Sequence, residues 1–169
     1  MNGFSADGYI IDQDAFSDYE YRTLPASING CGGVALFNVQ RAAGRERELG
    51  EILRELDSLH RFRMPGPTAM PAMRRYIRTH LPELREHIGR EQARAAARCC
   101  RMGILRYTEA GVPHFISFLR EADGSYRFFN VNDGLEDFTA DMDAFFATHV
   151  GQGHYVSAFV YDGDGYCDF

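Results

Sequence analysis

A chain of 169 residues with a net charge of −6 is long enough for one domain with its own core, and too acidic to be built around nucleic-acid phosphates. With 45% apolar residues, thirteen Phe and nine Tyr it is not a disordered chain, and no run approaches the ~20 apolar residues of a membrane span. Four Cys without paired metal-type spacing exclude a disulfide framework, and the first residues show neither a basic n-region nor an apolar h-region, so a cytoplasmic protein is expected.

Residues 1–28 are rich in Asp, Tyr and Gly and read as a loop-rich lead-in. Residues 29–102 read as mainly helical. CGGVALFNVQRAAG carries Val34, Leu36, Phe37 and Val39 at helical spacing and ends at Gly44, a good residue for the left-handed position after a helix. A second helix is predicted over 46–61, where Leu49, Ile52, Leu53, Leu56 and Leu59 recur at three and four. After the turn MPGPT, Thr68 is placed to cap a third helix with Met70, Met73, Tyr76 and Ile77 as its core stripe, broken at Pro82. An Ala-rich helix is expected over about 90–102.

Residues 103–169 change character. ILRYT (104–108), HFISFLR (114–120), YRFFNVN (126–132) and HYVSAFVYD (154–162) read as antiparallel strands, with DMDAFFATH (141–149) as a short helix. The Asp-Gly at 123–124 signals a hairpin. Helices first and antiparallel strands after, in one domain over 1–169, make an α+β layout with a helical N-terminal half packed on a C-terminal sheet.

The cations are all Arg, most of them between Arg41 and Arg106. They read as a solvated helical surface, or more sharply as a basic docking surface for an acidic partner.

The segment INGCGGVALFN puts Cys31 between glycines where a loop becomes a helix. A helix start favours thiolate, and its free N–H groups can hold the oxyanion that forms when sulfur attacks a carbonyl. Asn29, Gly30 and Gly32 are the candidate oxyanion and substrate-binding residues, with Gly30, Gly32 and Gly33 expected to admit a substrate backbone. A nucleophilic Cys needs a base, and His114 opens a strand where an imidazole has no reason to pack. The group that orients its ring depends on the hairpin. A loop of Ala122, Asp123 and Gly124 sets Asn132 opposite His114, and a shorter Asp-Gly loop sets Asp133 there; Asn130 is third choice.

Cys-Gly opening a helix, a helical middle, then HFISF, a hairpin and FNVND resembles the papain-like cysteine peptidase superfamily over residues 28–162. Two branches are similar: the leader-cleaving peptidase domains of bacteriocin exporters and the Josephin deubiquitinases. The resemblance implies a papain-like cysteine proteinase fold and a thiol peptidase acting on a peptide or isopeptide bond, with Cys31, His114 and Asn132 as its catalytic residues. These families place an oxyanion Gln five or six residues before the Cys, where this chain has Ala26 and Pro25. Asn29, Ser27 or backbone N–H groups are then left to form the hole, and a degenerate domain that binds a peptide or protein is the alternative, as is an acyltransferase.

No metal, organic cofactor or nucleic acid is expected. His154 with Asp162, Asp164 or Asp168 reads as a structural edge strand. Cys99 and Cys100 are adjacent and make a poor metal site, so that at most one is buried. Cys167 reads as incidental and DGDG (162–165) as a turn. His60, His80, His87 and His149 fall on predicted helices, and Met70 and Met73 on a core stripe.

Overall fold

The computed structural model describes residues 3–62, 64–109, 111–131 and 137–161. Its elements in chain order are a short 3-10 helix (Gln13–Phe16), β1 (Glu20–Tyr21), β2 (Leu24–Pro25), α1 (Ala26–Asn29), α2 (Cys31–Ala42), α3 (Leu49–Ser58), α4 (Met70–His80), β3 (Leu84–Ile88), α5 (Arg90–Arg98), β4 (Met102–Glu109), β5 (Val112–Arg120), β6 (Tyr126–Phe129), β7 (Asp137–Ala140), α6 (Met142–His149) and β8 (Ser157–Tyr161). None of the described helices is long and apolar enough to cross a membrane.

The strands β3-β8-β4-β5-β6-β7 form a six-stranded sheet in which every neighbouring pair is antiparallel. Period-two alternation gives the sheet two buried faces. Met102, Ile104, Phe115 and Phe159 share a core with α2, α3 and α4, while Leu105, Tyr107, Ile116, Phe118 and Phe128 share another with α5 and α6. This is the expected mixture of helix and antiparallel sheet, with helices on both faces.

The local signals explain most elements. In α3 the residues spaced at three and four, Leu49, Ile52, Leu53 and Leu56, are those buried. Helix α2 ends where Gly44 takes φ +70°, and Arg45 N–H donates to Gln40 O while Gly44 N–H donates to Arg41 O, closing a Schellman cap. Asp141 caps α6 by accepting from the Asp143 and Ala144 amides.

Several expectations are corrected. Thr68 does not cap α4, whose N-cap is Ala69 without a side-chain bond; the Thr68 hydroxyl is buried against the Tyr21 hydroxyl at 2.9 Å. Residues 84–88 form a strand inside the stretch expected to be mainly helical, and His87 belongs to it. Because β3 pairs with one side of β8 and β4 with the other, β8 is an interior strand and not an edge, and His154 lies in the exposed segment before it. His60 follows α3, while His80 and His149 end α4 and α6. The lead-in contributes Ile10, Phe16 and Tyr21 to the core. Cys99 is half-buried and Cys100 buried. Asp162, Asp164, Asp168, Cys167 and the DGDG stretch lie outside the described residues.

Candidate functional site

The site is built where α2 begins against β5. Helix α1 runs into α2 through Gly30, whose N–H bonds back to Ala26 O at 2.8 Å. Cys31 follows as the first residue of α2, 4% exposed, in the core that contains Phe115.

The sulfur sits in two opposed environments. Burial pushes the Cys31 thiol above its ordinary value, while the backbone N–H groups of Phe115, Gly32 and Cys31 itself and the charge of Arg106 favour the anion. Burial wins, so the resting group is a neutral thiol. The Phe115 amide bears on the sulfur and belongs to the residue after His114, so the fold brings the Cys helix and the His strand to one point.

The imidazole is held from the other side. His114 is 3% exposed, and its Nε2 lies 2.7 Å from the main-chain O of Asn130. A carbonyl only accepts, so Nε2 carries the proton, and in the neutral ring Nδ1 is the basic nitrogen. Asn130 is itself fixed at φ +66°, a conformation Asn tolerates, and directly follows β6. Its side chain is clamped by Gln13: the Gln13 amide donates to Oδ1 at 3.0 Å, and Asn130 Nδ2 donates to Gln13 Oε1 at 2.8 Å. Gln13 Nε2 in turn donates to Ser27 O at 2.9 Å, tying the clamp to α1.

In β5, alternation sends Phe115 to the α2 face with Cys31. His114 instead pairs across the ladder with Tyr107, whose ring meets the imidazole edge-on at 6.0 Å. Backbone N–H groups, that of Phe115 first among them, favour the anion of the Cys31 sulfur.

The hairpin that was to decide the orienting group closes through Ala122, Asp123 and Gly124. Glu121 N–H bonds Ser125 O at 2.8 Å and Gly124 takes φ +87°. The ladder runs in this register from Arg120↔Tyr126 to Ser117↔Phe129. Asn132 and Asp133 lie outside the described residues, and the orienting contact that is described comes from the Asn130 carbonyl.

Asn29, Gly30 and Gly32, assigned oxyanion and substrate-binding roles, are closely surrounded by the protein itself. Asn29 spends its amide protons on Tyr21 O at 2.9 Å and Gly66 O at 3.1 Å, and the atom left unpaired is its acceptor Oδ1, the wrong polarity for an oxyanion. The space above the glycines is filled by the protein itself. A Cβ on Gly30 would stand 2.5 Å from Ala26 O, on Gly32 2.4 Å from Thr68 Oγ1, and on Gly33 2.4 Å from a Leu53 methyl. Gly32→Ala is therefore expected to destabilise by roughly 1–3 kcal/mol through overpacking, read as a melting temperature several degrees lower; an unchanged melt would show that the Thr68 segment yields freely.

Arg106 is a site residue that sequence reasoning missed. It pairs with Phe115 across the ladder and so shares the Cys31 face. Its guanidinium stacks on Tyr155 at 4.5 Å and donates to Tyr155 O at 3.1 Å. Nothing in the spacing of Arg106 marks it; only the β4–β5 register does. Among the described residues no group of His, Cys, Asp and Glu is arranged to hold a metal ion. Comparison with protein-family models, with curated proteins and with solved structures gives no match, so the reading of this site rests on its own geometry.

Proposed function

We propose that this chain is a papain-like thiol hydrolase acting on a peptide or isopeptide bond. The observation that supports it most is the convergence at β5. Cys31 shares a core with Phe115, whose amide favours the thiolate, while the adjacent His114 is held by the Asn130 carbonyl in the tautomer whose Nδ1 is basic. On this reading substrate entry lets the imidazole turn toward the thiol and take its proton. The thiolate then forms a bond to the carbonyl carbon, His114 returns the proton to the leaving amine as the C–N bond breaks, and water hydrolyses the thioester. Backbone N–H groups at the start of α2 are the donors left for the oxyanion. Asn132 is retained as the proposed third residue. A cytoplasmic location belongs to the same proposal.

The burial of Cys31 and its upward-shifted thiol favour a second reading, a papain-like domain whose chemistry has decayed and which binds a peptide or protein. Turnover of pooled fluorogenic peptide amides and isopeptide amides separates the two. Wild-type protein is expected to release fluorophore and Cys31→Ala to lose that release by at least about a thousandfold. Equal turnover by Cys31→Ala would overturn the hydrolase, and no turnover by wild type assigns the site to binding.

A further inference from the structure

Several guanidinium groups among the described residues have a carboxylate within reach. Arg45 meets Glu83, Arg47 meets Glu55, Arg74 meets Glu86, Arg94 meets Glu91, Arg98 meets Asp143 and Arg127 meets Asp7. One groove gathers arginines that lack such a partner among the described residues. It lies between the end of α3 and the outer side of α4, encloses about 640 Å³, and includes His60, Arg61, Arg74, Arg75 and Arg78 in its lining, with no carboxylate among the described residues there. Arg74 is neutralised by Glu86 through two bonds of 2.7 and 2.8 Å. Arg61, Arg75 and Arg78 are exposed and have no carboxylate partner among the described residues. Three uncompensated cations around one concavity, in a chain that is acidic as a whole, form a local positive field where complementary charge is stabilised.

The groove is also shaped rather than loose. His60 Nδ1 lies 2.9 Å from Leu56 O, and its Nε2 receives the Ala69 amide at 3.1 Å. An amide only donates, so Nε2 is the acceptor, Nδ1 carries the proton, and the ring is neutral. Burial and the nearby Arg22 charge lower its affinity for a second proton, although Asp57 acts the other way. His60 thus braces the loop against α4 and adds no charge, leaving recognition to the arginines. The same loop exposes Phe62 and Met64, so apolar surface adjoins the cations. Thr68, next to the Ala69 that lines the groove, packs on Gly32 beside Cys31.

We propose that this groove binds an acidic peptide segment, with Arg61, Arg75 and Arg78 as its carboxylate-binding residues. Guanidinium forks suit carboxylates in bidentate pairs, and the neighbouring Phe62 and Met64 suit a peptide's side chains better than a nucleic-acid backbone. The site stands whether Cys31 is catalytic or not.

The test is fluorescence anisotropy of the full chain with a fluorescein-labelled peptide rich in Glu and Phe, its Gln analogue, and a single-stranded oligonucleotide of matched charge. The acidic peptide is expected to bind, and Arg75→Ala with Arg78→Ala to weaken it about tenfold or more, with an unchanged melting curve and with Cys31→Ala binding as wild type. Raising salt from 50 to 500 mM is expected to weaken it further, since exposed charge pairs are screened. Equal binding of the Gln analogue, full binding by the double variant, or tighter binding of the oligonucleotide would overturn the proposal.

Discussion

Iodoacetamide is expected to label Cys31 at pH 6.5 at least about a hundredfold faster in the wild-type protein than in His114→Gln. The argument starts from the thiol. Burial raises it above its ordinary value of 9.0, so without a base no more than about 1% of it is thiolate at pH 6.5, and the thiolate is the reacting form. A base with an imidazole's affinity, offered through Nδ1, removes that penalty. Glutamine is the informative substitute because its side-chain amide can still donate to the Asn130 carbonyl but cannot take a proton. In the variant the labelling rate should therefore keep rising with pH beyond the ordinary thiol value, whereas in wild type the rise begins near neutrality. The sign follows from burial: a thiol shifted upward ionises only as the pH climbs past its ordinary range. Peptide mapping separates Cys31 from Cys99, Cys100 and Cys167. Identical pH profiles for the two proteins would mean that the imidazole never reaches the sulfur, and the hydrolase reading would fall.

The parts of this fold legible in the sequence are those whose signal is local. The Leu stripe of α3, the Gly44 cap and the Asp-Gly hairpin each depend on residues within a few positions, and each appears where it is expected. Strand β3 was not legible because LREHI sets Leu84 and Ile88 four apart with polar residues between, a helical spacing. Only its ladder with β8 makes it a strand. Missing it also made β8 look like an edge. The lead-in hid its core residues for a related reason: Ile10 is buried through a bond to Asn38, far along the chain.

At the site, the packing of the Cys helix on the His strand was legible and the side-chain contacts around it were not. Glycine next to a cysteine suggests room for a substrate, yet the room above Gly32 belongs to Thr68, a long-range neighbour. Asn29 has the right chemistry for an oxyanion donor, but two carbonyls reached by the chain's return consume it. Arg106 and Gln13 join the site through register and tertiary contact, neither of which leaves a periodic trace.

Asn38→Ala is expected to cost about 3–5 kcal/mol of stability. Asn38 is 1% exposed. Its Oδ1 accepts the Ile10 amide at 2.8 Å, and its Nδ2 donates to Ile10 O at 2.8 Å and to Ser117 Oγ at 3.0 Å. Truncation leaves two buried backbone groups and a hydroxyl without these partners, each worth about 1–3 kcal/mol when unmet, and opens a small void. In a chain of this size that is a fall of roughly 10 °C in melting temperature. The loss should also reach the site. Asn38 lies on the helix that begins with Cys31 and Ser117 on the strand that carries His114, so this side chain holds the two segments in register. Faster proteolysis before Gln13 and a changed Cys31 labelling rate are both expected at temperatures where the variant is still folded. A melting temperature within about 2 °C of wild type would mean that water or a shifted Ile10 satisfies the freed groups, and that the register of α2 on β5 is set by apolar packing alone.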